Sequence, residues 1–202
     1  MPFEKLNEHF EHTFAGAGIE TPNELQEKIM ARTKQGGDLL VIAPEKSGKT
    51  IAAALSVFQK VPESYEGSPR AIVITGSADK TKSLAALISN VTRRRELSVE
   101  MAHEKGPMIE QRNNIFDGAD IIIGTAGRIY DLYIQNGINL GMLKLFIIDD
   151  ANDMLKEATL IQIRRLAGSL PKCQRMVLAS SVTPKLEKML EEILVNEMVL
   201  EA

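Results

Sequence analysis

A run of apolar residues that breaks into a short polar loop and then into a helix-forming run is the strongest constraint in this sequence. Residues 39–43 form the apolar run, the loop ends in Gly48-Lys49-Thr50, and an alanine-rich stretch follows. A strand, a loop and a helix in this order predict a phosphate-binding loop, because the helix N-terminus offers unpaired N–H groups and a positive dipole end to an anion. We expect Lys49 to reach the β- and γ-phosphates of a nucleotide and the Thr50 hydroxyl to ligate Mg²⁺.

The loop departs at one place from the general pattern, in which a glycine stands at the position of Ala43. Gly-Lys-Thr triplets also arise by chance, so an ordinary turn between a strand and a helix is the alternative. The position of this triplet, after a buried-strand pattern and before a helix pattern, favours a nucleotide loop. The residues expected to bind the nucleotide here are Ala43, Pro44, Glu45, Lys46, Ser47, Gly48, Lys49 and Thr50.

The composition is that of one globular domain with no bulk attraction for nucleic acid. The chain has 202 residues, of which 44% are hydrophobic and 25% charged, and its formal net charge is −3. Any nucleic-acid contact must then rest on a local basic patch. The only cysteine is Cys173, which excludes an intramolecular disulfide and fits a reducing, cytoplasmic location. No apolar run approaches the length of about 18 residues that predicts a membrane span, so we expect no membrane partner.

Strand and helix patterns alternate along most of the chain. An amphipathic helix is predicted over 6–14, and the next helix is predicted to begin with Thr21 as its cap and Pro22 in its first turn. The strands are predicted at 39–43, 71–75, 97–102, 119–124, 143–148, 175–179 and 198–201. The helices between them are predicted at 49–60, 79–94, 108–116, 126–135, 152–167 and 184–194. Strands that are apolar on both faces predict a mostly parallel α/β sheet with helices on both sides, whose ligands lie at the carboxyl ends of the strands.

A second candidate group follows the buried strand predicted to end at residue 148. A phosphate-binding loop works with a carboxylate that holds Mg²⁺ and lies at the end of another buried strand. Asp149 and Asp150 occupy this position, so we expect Asp149 to bind the metal and Asp150 to orient a water for attack on the γ-phosphate. The alternative is that the two aspartates only cap the following helix.

These residues carry a resemblance to a known family. The chain resembles, from end to end, the first RecA-like domain of DEAD-box RNA helicases, whose loop reads Ala-x-x-Gly-Ser-Gly-Lys-Thr and so accounts for Ala43. The segment from Gly18 to Gln26 is similar to the family's Gly-Phe/Tyr-x-x-Pro-Thr-x-Ile-Gln. Thr125-Ala126-Gly127-Arg128 is similar to Thr-Pro-Gly-Arg, Gly106-Pro107 stands at a Gly-Gly turn, and Ser180-Ser181-Val182 stands at Ser-Ala-Thr.

The resemblance implies a single RecA-like P-loop domain over 1–202, with an adenine-recognition helical region at 1–37 and the sheet core at 38–202. It implies ATP and Mg²⁺ as cofactors, with Gln26 reading the adenine edge and Phe3 stacking on the base. The implied catalytic residues are Lys49, Asp149 and Asp150, and the metal ligands are Thr50 and Asp149. RNA phosphates would be bound by Gly106, Thr125, Gly127 and Arg128, and the ATP and RNA sites would be coupled by Asn152, Ser180, Ser181 and Val182.

The signature motifs depart from the family pattern where hydrolysis and coupling take place. Asp-Glu-Ala-Asp is replaced by Asp149-Asp150-Ala151-Asn152. Asp150 is one methylene shorter than Glu, and misplacement of that order can cost about 10²-fold in rate. Asn152 lacks the charge that bonds the coupling motif in the family.

Two further departures affect the loop and the RNA contacts. Lys46 replaces a glycine of the phosphate loop, either favouring phosphates or reshaping the loop. The motif Pro-Thr-Arg-Glu-Leu reads Gly76-Ser77-Ala78-Asp79-Lys80, so its RNA-binding arginine is absent. Substitutes for it are Lys80, Lys82 or the run 93–95, although charge runs of this kind are usually solvated surface.

Three functions are compatible with these observations. The first is the ATP-binding domain of an RNA helicase, with weak or no ATPase alone, because the family's second RecA-like domain supplies the arginine fingers. On this hypothesis the isolated chain does not unwind RNA, and its partners are RNA and a second domain or a protein. The second is a pseudo-helicase scaffold for protein or RNA without turnover. The third is another P-loop enzyme such as a small kinase, in which Gln26 and the motif at 125–128 have no role.

Overall fold

A single parallel sheet forms the centre of the molecule. The computed structural model describes residues 15–65 and 68–202, so Phe3 and the helix predicted at 6–14 lie outside the described residues. The described strands are β1 Leu39–Ile42, β2 Ala71–Thr75, β3 Val99–Ala102, β4 Ile121–Thr125, β5 Leu145–Ile148, β6 Gln174–Ala179 and β7 Met198–Glu201. Their order in the sheet is β3-β4-β2-β5-β6-β1-β7, and each pairing is parallel. The predicted α/β class is confirmed.

Helices cover both faces of this sheet. They are α1 Glu24–Gln35, α2 Lys49–Lys60, α3 Ala78–Thr92, α4 Met108–Gly118, α5 Ala126–Ile134, α6 Glu157–Ser169 and α7 Pro184–Ile193, with 3₁₀ turns at Arg93–Arg95 and Ala151–Met154. Alternate strand residues point to opposite faces. Val73 and Ile147 therefore pack in a core with α1–α3, whereas Ile72 and Phe146 pack in a second core with α4–α7.

Two of the predicted helix boundaries are wrong. The helix predicted to begin at Thr21-Pro22 begins at Glu24, because Asn23 and Gln26 form a reciprocal capping box. Each backbone N–H donates to the other side chain at 2.9 Å. The single helix predicted at 152–167 is interrupted, because Lys156 adopts an extended backbone (ψ 140°) between the 3₁₀ turn and α6. The other elements predicted within residues 15–65 and 68–202 exist, with ends shifted by a few residues.

The strand order brings distant loops to one edge of the sheet. β1 lies between β6 and β7, and β5 lies beside β6. The segments that follow β1, β5 and β6 therefore meet at the carboxyl edge of the sheet, where a doubly wound domain binds its ligands. The segments that follow β2 and β4 continue the same edge. Most of the sequence-predicted motifs lie on these five segments, whereas Gly106 follows β3 and Gln26 lies on α1.

Candidate nucleotide and nucleic-acid site

The predicted phosphate loop lies between β1 and the N-terminus of α2. Ala43 is buried and extends the sheet ladder, with its N–H donating to the Ala179 carbonyl at 3.0 Å. Gly48 caps α2 in a left-handed conformation, with φ 90°. A Cβ at Gly48 would lie 2.4 Å from Gln26 Nε2, and the left-handed φ strains any residue with a side chain, so glycine is favoured there. Lys46 also has a positive φ of 60°, which shows that the loop keeps a glycine-like turn although a lysine occupies it.

Lys49 is held inside the loop that it is expected to serve. Its side chain is buried, and its Nζ donates to the carbonyls of Ala43 at 2.5 Å and Pro44 at 2.7 Å. Both acceptors are neutral, so they offset the charge of the ammonium only partly. The structure therefore places a buried cation, held by neutral acceptors, beside the N-terminus of a helix, which is the arrangement that binds a phosphate.

Thr50 and Asp149 meet across the same cleft. Thr50 Oγ1 donates to Asp149 Oδ2 at 3.1 Å. Burial is the main cause that raises the pKa of the Asp149 carboxyl from 3.8 to about 6, and the neighbouring charge of Asp150 adds to it. A divalent cation would remove this penalty, because its charge favours the carboxylate.

The donor atoms of these two residues fit Mg²⁺. A hydroxyl and a carboxylate are hard oxygen ligands, and Mg²⁺ is usually bound through one or two carboxylates together with water and substrate phosphates. Among the described residues, no group of three or more His, Cys, Asp or Glu side chains could hold a metal alone. The residues present therefore suit a metal that arrives with phosphates rather than a metal cage made only by the protein.

Lys80 lies in the phosphate cleft, which the sequence did not predict. Its Nζ donates to Asp150 Oδ2 at 2.6 Å and to Asp153 Oδ2 at 2.7 Å. Burial lowers the pKa of Lys80, but the two carboxylates outweigh burial and raise the pKa above its usual value. Lys80 is thus directed towards the cleft by its ion pairs. Arg95, another of the residues considered as a substitute for the missing arginine, donates to the carbonyls of Phe58 and Val61.

Asn152 joins the segments that follow β5 and β6. Its Oδ1 accepts from the Ser180 N–H at 2.8 Å and the Ser180 hydroxyl at 3.2 Å, while its Nδ2 donates to the Ser181 carbonyl at 2.9 Å. The neutral amide of Asn152 therefore bonds the Ser180-Ser181 segment, although it lacks the charge that makes this contact in the family. Val182, the third residue of this segment, is exposed. Asn152 and Ser180 line one cleft of about 480 Å³ together with Lys49, Thr50 and Lys80.

Gln26, on α1, contacts the backbone of the phosphate loop. Its Nε2 donates to the Gly48 carbonyl at 3.4 Å, and Asn23 Nδ2 donates to the Ser47 carbonyl at 3.0 Å. The capping box of α1 therefore also fixes the loop. Asn23 was missed at sequence level, although its spacing of three residues from Gln26 is the signal of a capping box.

The second predicted group lies at the ends of β3 and β4. Arg128 donates to the Gly106 carbonyl and to Gln111 Oε1, both at 3.0 Å. Thr125 Oγ1 donates to Glu104 Oε1 at 2.7 Å. Thr125, Gly127 and Glu104 line a polar cavity of about 280 Å³. The structure thus brings together the four residues predicted for RNA, with a carboxylate, Glu104, that no sequence pattern indicated.

Comparison with known proteins identifies the family. Residues 23–191 match the model of the DEAD/DEAH box helicase family, which is most of the chain. This chain belongs to the DEAD/DEAH box helicase family. The match includes the phosphate loop, the Asp149-Asp150 pair and the segment of Ser180-Ser181, and each of the three contributes residues that line the cleft.

Curated helicases of fungi are identical to this domain at about a quarter of the aligned residues. The ATP-dependent RNA helicase eIF4A of Lodderomyces elongisporus is 26% identical over 170 residues, which are 84% of this chain and 43% of that protein. The pre-mRNA-processing ATP-dependent RNA helicase PRP5 of Meyerozyma guilliermondii is 27% identical over 187 residues, or 89% and 22% of the two chains. The chain therefore spans less than half of the length of these relatives.

Solved helicase structures share its fold. A DEAD box protein from Methanococcus jannaschii superposes with a TM-score of 0.89 at 20% identity and covers 100% of this chain and 56% of its own. A hypothetical ATP-dependent RNA helicase from Sulfolobus tokodaii gives 0.85 at 24% identity, with 97% and 57% covered. The predicted RecA-like fold of a DEAD-box helicase domain is confirmed. Within the described part of the chain, no helix is long and apolar enough to cross a membrane.

Proposed function

We propose that this DEAD-box domain binds ATP with Mg²⁺ and the phosphate backbone of RNA, as one part of an ATP-dependent RNA helicase. The contact between Thr50 Oγ1 and Asp149 Oδ2, beside the buried Lys49, carries the proposal. It joins the hydroxyl and the carboxylate of a Mg-phosphate site at the N-terminus of a helix. The curated relatives described above are ATP-dependent RNA helicases, which agrees with this function.

The residues of the cleft have separate roles in this proposal. Lys49 exchanges the carbonyls of Ala43 and Pro44 for the β- and γ-phosphates, because charge-assisted hydrogen bonds are stronger than bonds to neutral acceptors. Thr50 and Asp149 hold Mg²⁺, which when bound neutralises charge on the phosphates. Gln26, which lies behind the loop, is the candidate for reading the adenine edge.

RNA binding is assigned to the surface formed by Gly106, Thr125, Gly127 and Arg128. Backbone N–H groups and an arginine suit phosphate oxygens, and these contacts are independent of base sequence. The N-terminus of α5 at Ala126 adds a positive dipole end. The binding is expected to be weak, because the Glu104 carboxylate lies in the same cavity. It is also expected to be sensitive to salt, because it depends on contacts with phosphates.

A second candidate function is a scaffold that binds nucleotide or RNA without turnover. The ion pair of Asp150 with Lys80 favours it, because it occupies the carboxylate that would otherwise orient a water for attack on the γ-phosphate. The side chain of Asp150, which is shorter than that of Glu, also favours a scaffold without turnover. In the helicase proposal, hydrolysis by this domain alone is weak or absent and requires RNA and a second RecA-like domain.

Titration of a fluorescent ADP with Mg²⁺ into the chain tests the proposed nucleotide site. Lys49→Ala is expected to weaken binding by about tenfold or more, because it removes the cation of the loop. Lys60→Ala, at the other end of α2, is the matched control and should leave the affinity unchanged. Absence of binding, or equal binding by the wild type and Lys49→Ala, would contradict the proposal. RNA-stimulated ATPase measured together with a second domain would rule out the scaffold.

A further inference from the structure

A lysine from the first turn of α3 enters the phosphate cleft from the side opposite to the phosphate loop. The phosphate loop follows β1, whereas Lys80 follows β2, and β5 and β6 lie between these strands in the sheet. Both segments line the same cleft. The cleft therefore has lysines on two separate walls, Lys46 and Lys49 at the loop and Lys80 beside Asp150.

Lys80 keeps a hydrogen-bond donor for a ligand. An ammonium group has three N–H donors. In the structure one donates to Asp150 Oδ2 and one to Asp153 Oδ2, at 2.6 and 2.7 Å. The third has no acceptor among the described residues, and the side chain is 42% exposed where it lines the cleft.

The two carboxylates give Lys80 a fixed position. Asp150 and Asp153 lie on the two ends of one short turn, and each is bonded to the same Nζ. Without the lysine, these carboxylates and Asp149 would confront an incoming phosphate with three like charges. Lys80 thus reduces the repulsion between these carboxylates and a phosphate, and its own charge attracts the phosphate.

We propose that Lys80 is a specificity-determining residue that makes this cleft prefer a nucleoside triphosphate to a diphosphate. The terminal phosphate is the group by which the two ligands differ. A cation that shares the cleft with Lys49, but stands on the opposite wall, is positioned for this additional group. The inference rests on the proposed nucleotide binding and adds to it a residue whose position holds leucine in the family pattern quoted above.

The test compares two nucleotides in the same chain. The affinities of fluorescent ADP and of a fluorescent, non-hydrolysable ATP analogue are measured with Mg²⁺ for the wild type and for Lys80→Met. We expect the variant to weaken triphosphate binding by about five- to tenfold, the effect of a charge-assisted hydrogen bond at a partly exposed site. Diphosphate binding should change by less than about twofold, because its phosphates are held at the loop.

Three further variants separate recognition from nonspecific effects. Lys80→Arg keeps the charge and the donors and should restore most of the triphosphate preference. Lys80→Gln removes the charge but stays polar, so it should behave like Lys80→Met. It replaces that variant in the test if Lys80→Met does not fold. Lys82→Met removes the same charge two residues away on the exposed side of α3 and should leave both affinities unchanged. Thermal unfolding of each variant checks that the fold is intact.

The outcomes distinguish this inference from the function on which it rests. If Lys80→Met leaves the ratio of the two affinities unchanged, or weakens both ligands equally, the role of Lys80 is excluded while nucleotide binding stands. A similar change in ratio for Lys82→Met would show a general charge effect and would also exclude it. If the wild type binds neither nucleotide, the proposed function fails and the inference fails with it.

Discussion

Thr50 Oγ1 and Asp149 Oδ2, which belong to residues 99 positions apart in the chain, are joined by a hydrogen bond of 3.1 Å beside the phosphate loop. The bond stabilises the carboxylate, but the burial of Asp149 has the larger effect on its pKa, which is raised from 3.8 to about 6. The folded domain therefore holds a charge whose burial opposes folding. A site that binds Mg²⁺ gains from this arrangement, because the ion compensates the carboxylate only when it is bound.

Asp149→Asn is expected to stabilise the domain without ligand at neutral pH. The folded state binds the Asp149 proton more tightly than the unfolded chain, so the free energy of unfolding falls as pH rises from about 4 to about 6 and then levels off. The amide has no charge to bury and can still accept from Thr50. We expect a gain on the order of 2 kcal/mol above pH 6 that vanishes near pH 4. Urea unfolding at both pH values measures it.

The control for this experiment is Asp117→Asn, which changes an exposed aspartate of α4 and should give no comparable gain. A loss of stability in Asp149→Asn at both pH values would contradict the burial argument. In that case the carboxylate would contribute to the fold through contacts that an amide does not reproduce.

Lys46→Gly is expected to stabilise the fold. Lys46 has a φ of 60°, a left-handed conformation that costs a residue with a Cβ about 1–2 kcal/mol, whereas glycine adopts it readily. The greater freedom of glycine in the unfolded chain removes part of this gain. We expect a net gain of about 0.5–1 kcal/mol in urea unfolding. Lys46→Ala keeps the left-handed cost and should show no gain, and equal behaviour of the two variants would disprove the strain.

The sequence predicted the parts of this site that depend on local pattern. The loop at Gly48, the helix after it and the buried strand before Asp149 are each encoded in a few consecutive residues, and the structure has all three. The contacts between side chains that are distant in the chain were not predictable in this way. Lys80 was expected on a solvated or RNA-binding surface, but its direction is set by two aspartates some 70 residues further along.

A buried ion pair at the amino ends of the strands is another contact that the sequence could not predict. Arg70 donates to Asp120 at 2.5 Å, and both side chains are 3% exposed. Asp120 also accepts from the N–H groups of Tyr65 and Ser98, so it joins the segments that precede β2, β3 and β4. No motif marks either residue, because the pair forms only when the strands that follow them lie side by side.

Asp120→Ala is expected to destabilise the domain by about 3–5 kcal/mol, because it leaves the buried guanidinium of Arg70 without its counter-charge. Urea unfolding measures the loss. The double variant with Arg70→Ala should lose less than the sum of the two single variants. Glu192→Ala breaks the more exposed pair with Arg164 and should cost within about 1 kcal/mol. Similar losses for the two pairs would show that burial does not decide the cost.

Arg128→Ala is expected to weaken the binding of a single-stranded RNA of any sequence. Arg128 supplies the cation of the proposed RNA surface and also holds the turn at Gly106. Loss of one phosphate contact reduces the salt dependence of the binding constant, with a slope about one unit smaller. Fluorescence anisotropy at several salt concentrations measures both effects. Arg32→Ala on α1 is the control, and an unchanged affinity for Arg128→Ala would exclude this surface.

Glu104→Gln is expected to have the opposite effect and to strengthen RNA binding. The Glu104 carboxylate accepts from Thr125 Oγ1 at 2.7 Å and lies 3.1 Å from where a Cβ of Gly127 would stand, so it occupies the surface assigned to phosphates. The amide still accepts from Thr125 but does not repel a phosphate. We expect a gain of about two- to fivefold at low salt that shrinks as screening increases. Glu110→Gln, an exposed change on α4, is the matched control. If Glu104→Gln weakened RNA binding while Arg128→Ala had no effect, the RNA surface would have to lie elsewhere on the domain.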